Sequence, residues 1–203
     1  IDAAIHFASA AEILSSITPW VRSRIPVIVG TTGWQKDFDA VCALIREHDS
    51  ALLYSSNFSL GVNIFDSLVR EAGKMFDCFP EYDAFIHEIH HKDKVDSPSG
   101  TALALAASLM QNLKRKREIL STQPDEKIRP DQLHVSSSRA GSVVGTHSVV
   151  FDSTADAIEL THRAKNRTGF ALGALAAAEW IQNKRGVFTM HDVMQDLFAP
   201  RKE

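Results

Sequence analysis

The sequence predicts an α/β domain built on a parallel sheet, joined to an α+β domain whose sheet is mixed or antiparallel. Two patterns carry that expectation. In the first 58 residues, short apolar and β-branched runs alternate with segments of helical period, the mark of strand–helix–strand units. From residue 132, three strand-like runs arrive with no helix between them, and strands joined by short turns pair antiparallel. A third observation sets the scale: 203 residues, 44% of them hydrophobic, suffice for one large domain or two small ones with real cores.

The elements follow in order. Residues 3–7 have the composition of a short buried strand, and residues 10–24 that of a helix ending before Pro26. Pro26-Val27-Ile28-Val29 is a β-branched run closed by Gly30, as expected of a parallel strand entering a loop. A helix over 35–48 places Phe38, Val41, Cys42 and Ile45 on one face, and 51–55 reads as another strand. Ligands of such sheets bind at the carboxyl ends of the strands, where Gly30-Thr31-Thr32-Gly33 and Ser55-Ser56-Asn57-Phe58 both fall. This half is consistent with the later part of a Rossmann domain. After Asn57 the pattern changes to a helix over 60–79, a strand over 82–90, and a helix from 101 to about 119 with Leu105, Leu109 and Leu113 at the helical period. Residues 121–131, with two Pro and several charges, read as an exposed loop. Strands over 132–139, 143–151 and 157–161 follow, then an Ala-rich helix over 168–184 and a closing helix over 191–198.

Composition excludes several functions. Charged residues are 23% of the chain and the formal net charge is −3, which gives no basis for binding nucleic acid or an anionic membrane. The basic run Lys114-Arg115-Lys116-Arg117 falls near the end of a predicted helix, where it complements the helix dipole. Cys42 and Cys78 have no metal or redox spacing, so reduced thiols in a cytoplasmic protein are expected. No apolar run reaches the length of a membrane span, and no signal peptide is visible.

The chemistry concentrates in Glu88-Ile-His-His-Lys-Asp-Lys-Val-Asp-Ser-Pro-Ser-Gly-Thr-Ala102. Two adjacent imidazoles and two ammonium groups sit just upstream of a helix start, and that start is a ready anion site. Pro98-Ser99-Gly100-Thr101 supplies a rigid turn and hydroxyls where backbone N–H groups become free, and Gly100 allows a ligand close to the backbone. Such a site suits a small dianion that must gain or lose a proton. A metal site on His87, His90 and His91 is disfavoured, because strand alternation sends His90 and His91 to opposite faces; no metal is expected.

The string His90-His91-x-x-Lys94-x-Asp96-x-Pro98-Ser99-Gly100-Thr101-Ala102 closely resembles the signature of the dihydrodipicolinate reductase (4-hydroxy-tetrahydrodipicolinate reductase) family. Gly30-Thr31-Thr32-Gly33, Ser56-Asn57-Phe58-Ser59-x-Gly61-Val62-Asn63, Arg139-x-Gly141-x-x-Gly145-x-His147 and Glu159-x-Thr161-His162-x-Ala164-x-x-Arg167 fit it in the same order. The resemblance implies a Rossmann-like nucleotide domain over 1–58 and 168–203, and an α+β substrate and oligomerisation domain with a mixed sheet over 59–167. In the family a Gly-rich loop precedes the matching region. The chain opens on Ile1-Asp2-Ala3-Ala4-Ile5-His6-Phe7, a buried-strand pattern, and holds no G-x-G-x-x-G loop that opens a helix. The nucleotide domain is therefore expected to be N-terminally incomplete, a fragment or a shortened form.

The resemblance also implies an activity, the reduction of 4-hydroxy-tetrahydrodipicolinate to tetrahydrodipicolinate with NADH or NADPH, in lysine and diaminopimelate biosynthesis. The alternative is a non-catalytic or truncated homologue that keeps only substrate-domain binding and assembly. On the family pattern, His90 is the proton donor and Lys94 the cation that pairs with a substrate carboxylate or ring nitrogen. His91, Ser99, Gly100 and Thr101 bind the small dicarboxylate substrate. Phe7, Gly30, Thr31, Thr32, Ser55, Ser56, Asn57 and Phe58 line the cofactor, although Phe7 also reads as a core residue. Glu88 either orients His90 or is an exposed acid, Asp96 ties down the loop, and Arg167 matches a family arginine beside the cleft. A homotetramer built through the substrate-domain sheet is implied as well.

Overall fold

The computed structural model describes residues 1–122 and 125–199. In chain order the elements are β1 (Ala4–His6), α1 (Ile13–Arg22), β2 (Val27–Val29), α2 (Phe38–Glu47), β3 (Ala51–Tyr54), α3 (Leu60–Asp77), β4 (Asp83–His90), α4 (Gly100–Met110), β5 (Glu118–Leu120), β6 (Gln132–Arg139), β7 (Gly145–Asp152), β8 (Ala157–Ala164), α5 (Thr168–Trp180), β9 (Gly186–Thr189) and α6 (Met190–Phe198). Two compact units result: residues 1–63 with 168–203, and residues 64–167.

The first unit carries a four-stranded sheet in the order β1-β2-β3-β9, with every neighbouring pair parallel. Val27, Ile28 and Val29 are fully buried, which requires cover on both faces of the sheet. On one face, α1 brings Ile13, Ile17 and Val21 at four-residue spacing, and α2 adds Val41 and Ile45, against Val27, Val29 and Leu52. On the other, Ala174 and Ala177 of α5 and Met190, Val193 and Met194 of α6 meet Ile28, Ala51 and Leu53. β9 lies between two helices that the sequence pattern joins only by a connection. Its four residues pair with β3 through Leu52↔Val187 and Leu53↔Phe188.

The second unit carries a mixed five-stranded sheet in the order β5-β6-β4-β7-β8. β4 runs parallel to β6 and antiparallel to β7, and β8 runs antiparallel to β7. Helices α3 and α4 cover one face, burying Phe65, Val69, Leu105 and Leu109 on Ala84, Ile86, Val135, Val149 and Phe151.

Helix α4 is shorter than the hydrophobic period implies, ending at Met110 rather than near residue 119. Leu113 is still buried, but from a turn closed by Leu113 N–H to Leu109 O at 2.9 Å. An apolar residue at the next helical position does not distinguish a fourth turn of helix from such a bend. Residues 114–117 consequently lie in the turn before β5 and do not complement the end of α4. Arg115 instead donates to Phe76 O, in the last turn of α3, at 2.7 Å and to Tyr82 O at 2.6 Å. Lys116 is buried, pairing with Asp83 at 2.5 Å and donating to Gln132 O at 2.7 Å. The exposed loop expected over 121–131 lies partly outside the described residues.

Candidate active site

The second unit assembles its polar groups from the register of its sheet. Side chains two apart on a strand share a face, and neighbours across the ladder stand side by side. Ser137, Glu88, His147 and His162 therefore form one cross-strand row on the helix-covered face. Two residues along, Arg139 stands beside His90. Gly145 opens β7 next to that ring: a Cβ there would lie 2.9 Å from His90 Nε2. Helix α4 begins over the same end of β4, with Ser99 as its N-cap accepting Ala102 N–H at 3.2 Å.

Hydrogen bonds join these residues into one network. His90 Nδ1 bonds Glu88 Oε2. The other oxygen, Oε1, accepts from Arg139 Nη2 at 2.7 Å and from Ser99 N–H at 3.2 Å. Arg139 Nη2 also donates to Asp96 O at 2.6 Å, in the loop where Lys94 pairs with Asp96 Oδ1 at 2.7 Å. Ser99 Oγ, already accepting from Ala102, has its proton free for His147 Nε2 at 3.2 Å. The His90 and His147 rings lie 5.1 Å apart at 72°.

The charges follow from this wiring. Burial pushes the Glu88 carboxyl up, but hydrogen bonds from Arg139 and His90 outweigh it and hold the group below its ordinary value. Burial pushes the His90 imidazole down, Glu88 pulls it back, and the Lys94 and Arg139 cations lower it again; the net position is below the ordinary value. His147 is pushed down to about 4, first by burial and then by His90. Asp96 is held low chiefly by its hydrogen bond with Lys94. At neutral pH the site thus contains an anionic Glu88, neutral imidazoles, and the Lys94 and Arg139 cations beside a helix N-terminus.

Comparison with known proteins matches residues 61–194 to the family model for the dihydrodipicolinate reductase C-terminus. The 4-hydroxy-tetrahydrodipicolinate reductase of Christiangramia forsetii is 42% identical over 198 residues, 98% of this chain and 81% of that protein. The chain belongs to the dihydrodipicolinate reductase family. The reductase of Methanoregula boonei is 38% identical over 195 residues, 95% of this chain and 74% of its own. In fold, the chain is similar to a dipicolinate-bound dihydrodipicolinate reductase from Paenisporosarcina sp. TG-14, with a TM-score of 0.74 at 19% identity, covering 93% of this chain and 71% of that one.

The family string is brought together in the second unit. His90 ends β4, His91 follows it half-buried, Lys94 lies in the next loop, and Ser99, Gly100 and Thr101 form the N-terminus of α4. A Cβ on Gly100 would meet nothing within 4 Å, so the backbone there is open to a ligand. Glu88 is fully buried and bonds His90, which makes it the orienting acid and not an exposed one.

The residues expected at the cofactor gather at the carboxyl edge of the first unit's sheet. Phe7 follows β1, is 54% exposed, and leans on Phe58 with ring centroids 5.6 Å apart. Gly30 lets that ring lie against the backbone, and a Cβ there would displace it. Thr31 bonds His6 Nδ1 at 3.1 Å, and Ser55 Oγ donates to Asn57 O at 2.9 Å. Thr32, Ser55 and Ser56 join Thr31, Trp34 and Tyr54 around a cavity of about 190 Å³. Phe58 differs from the rest: at 1% exposure it belongs to the core beneath the edge. Hydroxyls, an exposed aromatic ring and an open cavity at strand ends fit the sugar and base of a nucleotide.

Arg139, Gly145 and His147 are the site residues to which the sequence gives no role. Their signal is the motif Arg139-x-Gly141-x-x-Gly145-x-His147, which places Gly145 and His147 two apart on β7, His147 opposite Glu88 and Gly145 beside His90 on β4. Among the described residues, Glu88, His90 and His147 also form the one group with ligating atoms within 4.8 Å of each other. His87 is not part of it and bonds Ser136 on the opposite face at 2.8 Å. The Arg139 guanidinium on Glu88 opposes a dication there.

Proposed function

We infer that the chain reduces 4-hydroxy-tetrahydrodipicolinate to tetrahydrodipicolinate, with loss of water, using NADH or NADPH. The observation that carries this reading is the buried Glu88–His90 pair facing a helix N-terminus and the Lys94 cation, in a chain of the reductase family. A planar dicarboxylate has two negative groups to place. Gly100 and Thr101, at the helix start that Ser99 caps, offer backbone and hydroxyl donors to one, and Lys94 exchanges Asp96 for the other or for the ring nitrogen. His91 adds a hydrogen bond at the rim.

The bound nicotinamide nucleotide supplies the hydride. His90 supplies the proton to the carbon framework from Nε2, the nitrogen that Glu88 leaves free. Its low proton affinity in the free protein rises when a dianion binds beside it, so protonation is coupled to substrate arrival. Lys94 stabilises the charge that develops on the substrate. In the first unit, Phe7, Gly30, Thr31, Thr32, Ser55, Ser56 and Asn57 hold the cofactor at the strand ends, with Phe58 supporting Phe7 from below.

The same reading includes a homotetramer and a cytoplasmic location. The sheet face opposite α3 and α4 presents His134, Phe85, Val150 and Glu159 in one cross-strand row outside the core, with Phe85 38% exposed. Such a face suits sheet-to-sheet assembly. Both cysteines are free, and no helix among the described residues is long and apolar enough to cross a membrane.

Calorimetric titration of the chain with pyridine-2,6-dicarboxylate, with and without NADH, tests the substrate site. Binding that disappears in the His90→Ala, Lys94→Ala double variant is the expected result. A folded chain that does not bind the dicarboxylate in either condition contradicts the assignment and favours a non-catalytic homologue.

A further inference from the structure

The two oxygens of Glu88 have different partners, and the difference reaches His90. Oε1 accepts two hydrogen bonds, from Arg139 Nη2 at 2.7 Å and from Ser99 N–H at 3.2 Å. Oε2 is left to His90 Nδ1. An ionised carboxylate has no proton to donate, so the imidazole must bring the hydrogen on Nδ1. The neutral ring is thereby held as the Nδ1–H tautomer, the reverse of the form free histidine prefers, and Nε2 becomes the nitrogen that takes up and delivers a proton. The same Arg139 nitrogen bonds Asp96 O at 2.6 Å, two residues beyond Lys94, whose ammonium pairs with the Asp96 carboxylate.

We propose that Arg139 is a positioning residue of the reductase site: its guanidinium fixes the orientation of Glu88, and through it the tautomer of His90, and ties that carboxylate to the loop carrying Lys94. The role rests on the reductase reading above, in which His90 and Lys94 touch the substrate. One tether sets both groups, so the proton donor and the substrate cation are placed in register. Arg139 is suited to this because it ends β6 beside His90 across a parallel ladder, on a strand and not on a loop.

The arrangement makes a specific prediction for Glu88→Gln. The Oε1 position must stay an oxygen, because two donors point at it. The amide NH2 then falls on His90 Nδ1 and donates to it, which drives the ring proton to Nε2. Nitrogen-15 NMR of histidine-labelled full chain at about pH 8, where His90 is neutral, reads this directly. His90 is assigned by the loss of its signals in His90→Asn. The expected result is Nδ1–H in the wild type, Nε2–H in Glu88→Gln, and a partial return of Nδ1–H population in Glu88→Gln, Arg139→Met, where only Ser99 N–H still holds the amide oxygen.

Turnover provides the second arm. Arg139→Met and Glu88→Gln each lower kcat about 100-fold. The double variant falls no further than the worse single one, because the two residues act as a unit. Arg139→Lys stays within about tenfold of wild type, because a single nitrogen makes both contacts and an ammonium can replace it. Retention of Nδ1–H in Glu88→Gln, or Arg139→Met activity within about threefold of wild type, overturns the proposal. If Arg139→Met does not fold, the isosteric Glu88→Gln and charge-preserving Arg139→Lys decide it. A wild type with the Nδ1–H tautomer but no turnover overturns the reductase reading and leaves the tautomer assignment standing.

Discussion

Gly145 shows how little room His90 Nε2, the proposed proton-transfer nitrogen, has. A methyl group there would stand 2.9 Å from His90 Nε2, closer than unstrained contact permits, so the ring must tilt or the strand must shift. Gly145→Ala is therefore expected to lower kcat by about tenfold or more, with dicarboxylate binding weakened much less. Steady-state kinetics beside calorimetry separates the two effects, and an unchanged kcat counts against Nε2 as the working atom. His147 makes a second residue-level prediction. Its affinity for a proton is lowered from 6.5 to about 4 on folding, so between those values the unfolded chain binds the extra proton. Stability is full above pH 6.5, declines as pH falls toward 4, and the group's share is about 3 kcal/mol. His90 and His162 are shifted in the same direction, whereas Glu88, held low, is lost only below its ordinary range near 4.5. Urea denaturation from pH 7 to 4 should show a visibly flatter decline in His147→Gln; an identical slope contradicts the assignment. His90, His91, Lys94 and the helix-start hydroxyls of this site are legible in the sequence, because they lie within fifteen residues. The Arg139 and His147 partners of Glu88 and Ser99 are not, because they come from strands about fifty residues away and only the sheet register brings them in.

At the level of elements, the parallel sheet is legible because Val27, Ile28 and Val29 can only belong to a strand covered on both faces. β9 escapes notice because four residues between two helices carry no periodicity to separate a strand from a connection. The end of α4 is misread for a related reason: the apolar period continues through Leu113 after the helix has stopped. That turn is held by the Lys116–Asp83 pair, whose members are unequal. Lys116 is fully buried while the Asp83 side chain is 69% exposed. Removing the lysine leaves a solvated acid and one unpaired carbonyl at Gln132, a cost of about 1 kcal/mol for Lys116→Met. Removing the acid leaves a buried ammonium with only that carbonyl, so Asp83→Ala is expected to cost more, about 3 kcal/mol. Denaturation midpoints of the two variants test the order, and a larger loss in Lys116→Met contradicts it.

At the scale of the whole molecule, one chain contains two sheets with different chemistry at their strand ends. The parallel sheet ends in hydroxyls around a cavity and in the exposed Phe7 ring, and the mixed sheet ends in a buried carboxylate–imidazole pair. The order of strand and helix signals makes this division legible, whereas the proposed assembly is supported only indirectly, by the face around Phe85 that α3 and α4 do not cover. Light scattering on the eluted protein should give about four times the chain mass of 22.4 kDa, and Phe85→Glu should lower it. A monomeric wild type contradicts the tetramer. Substrate-dependent oxidation of NADH and of NADPH by the wild type, His90→Ala and Lys94→Ala tests whether this chain is a reductase whose proton comes from His90. The expected result is equimolar loss of at least one reduced cofactor with 4-hydroxy-tetrahydrodipicolinate, with kcat lowered about 100- to 10,000-fold in His90→Ala. No substrate-dependent oxidation of either cofactor by the folded wild type, or undiminished turnover in His90→Ala, would contradict the account.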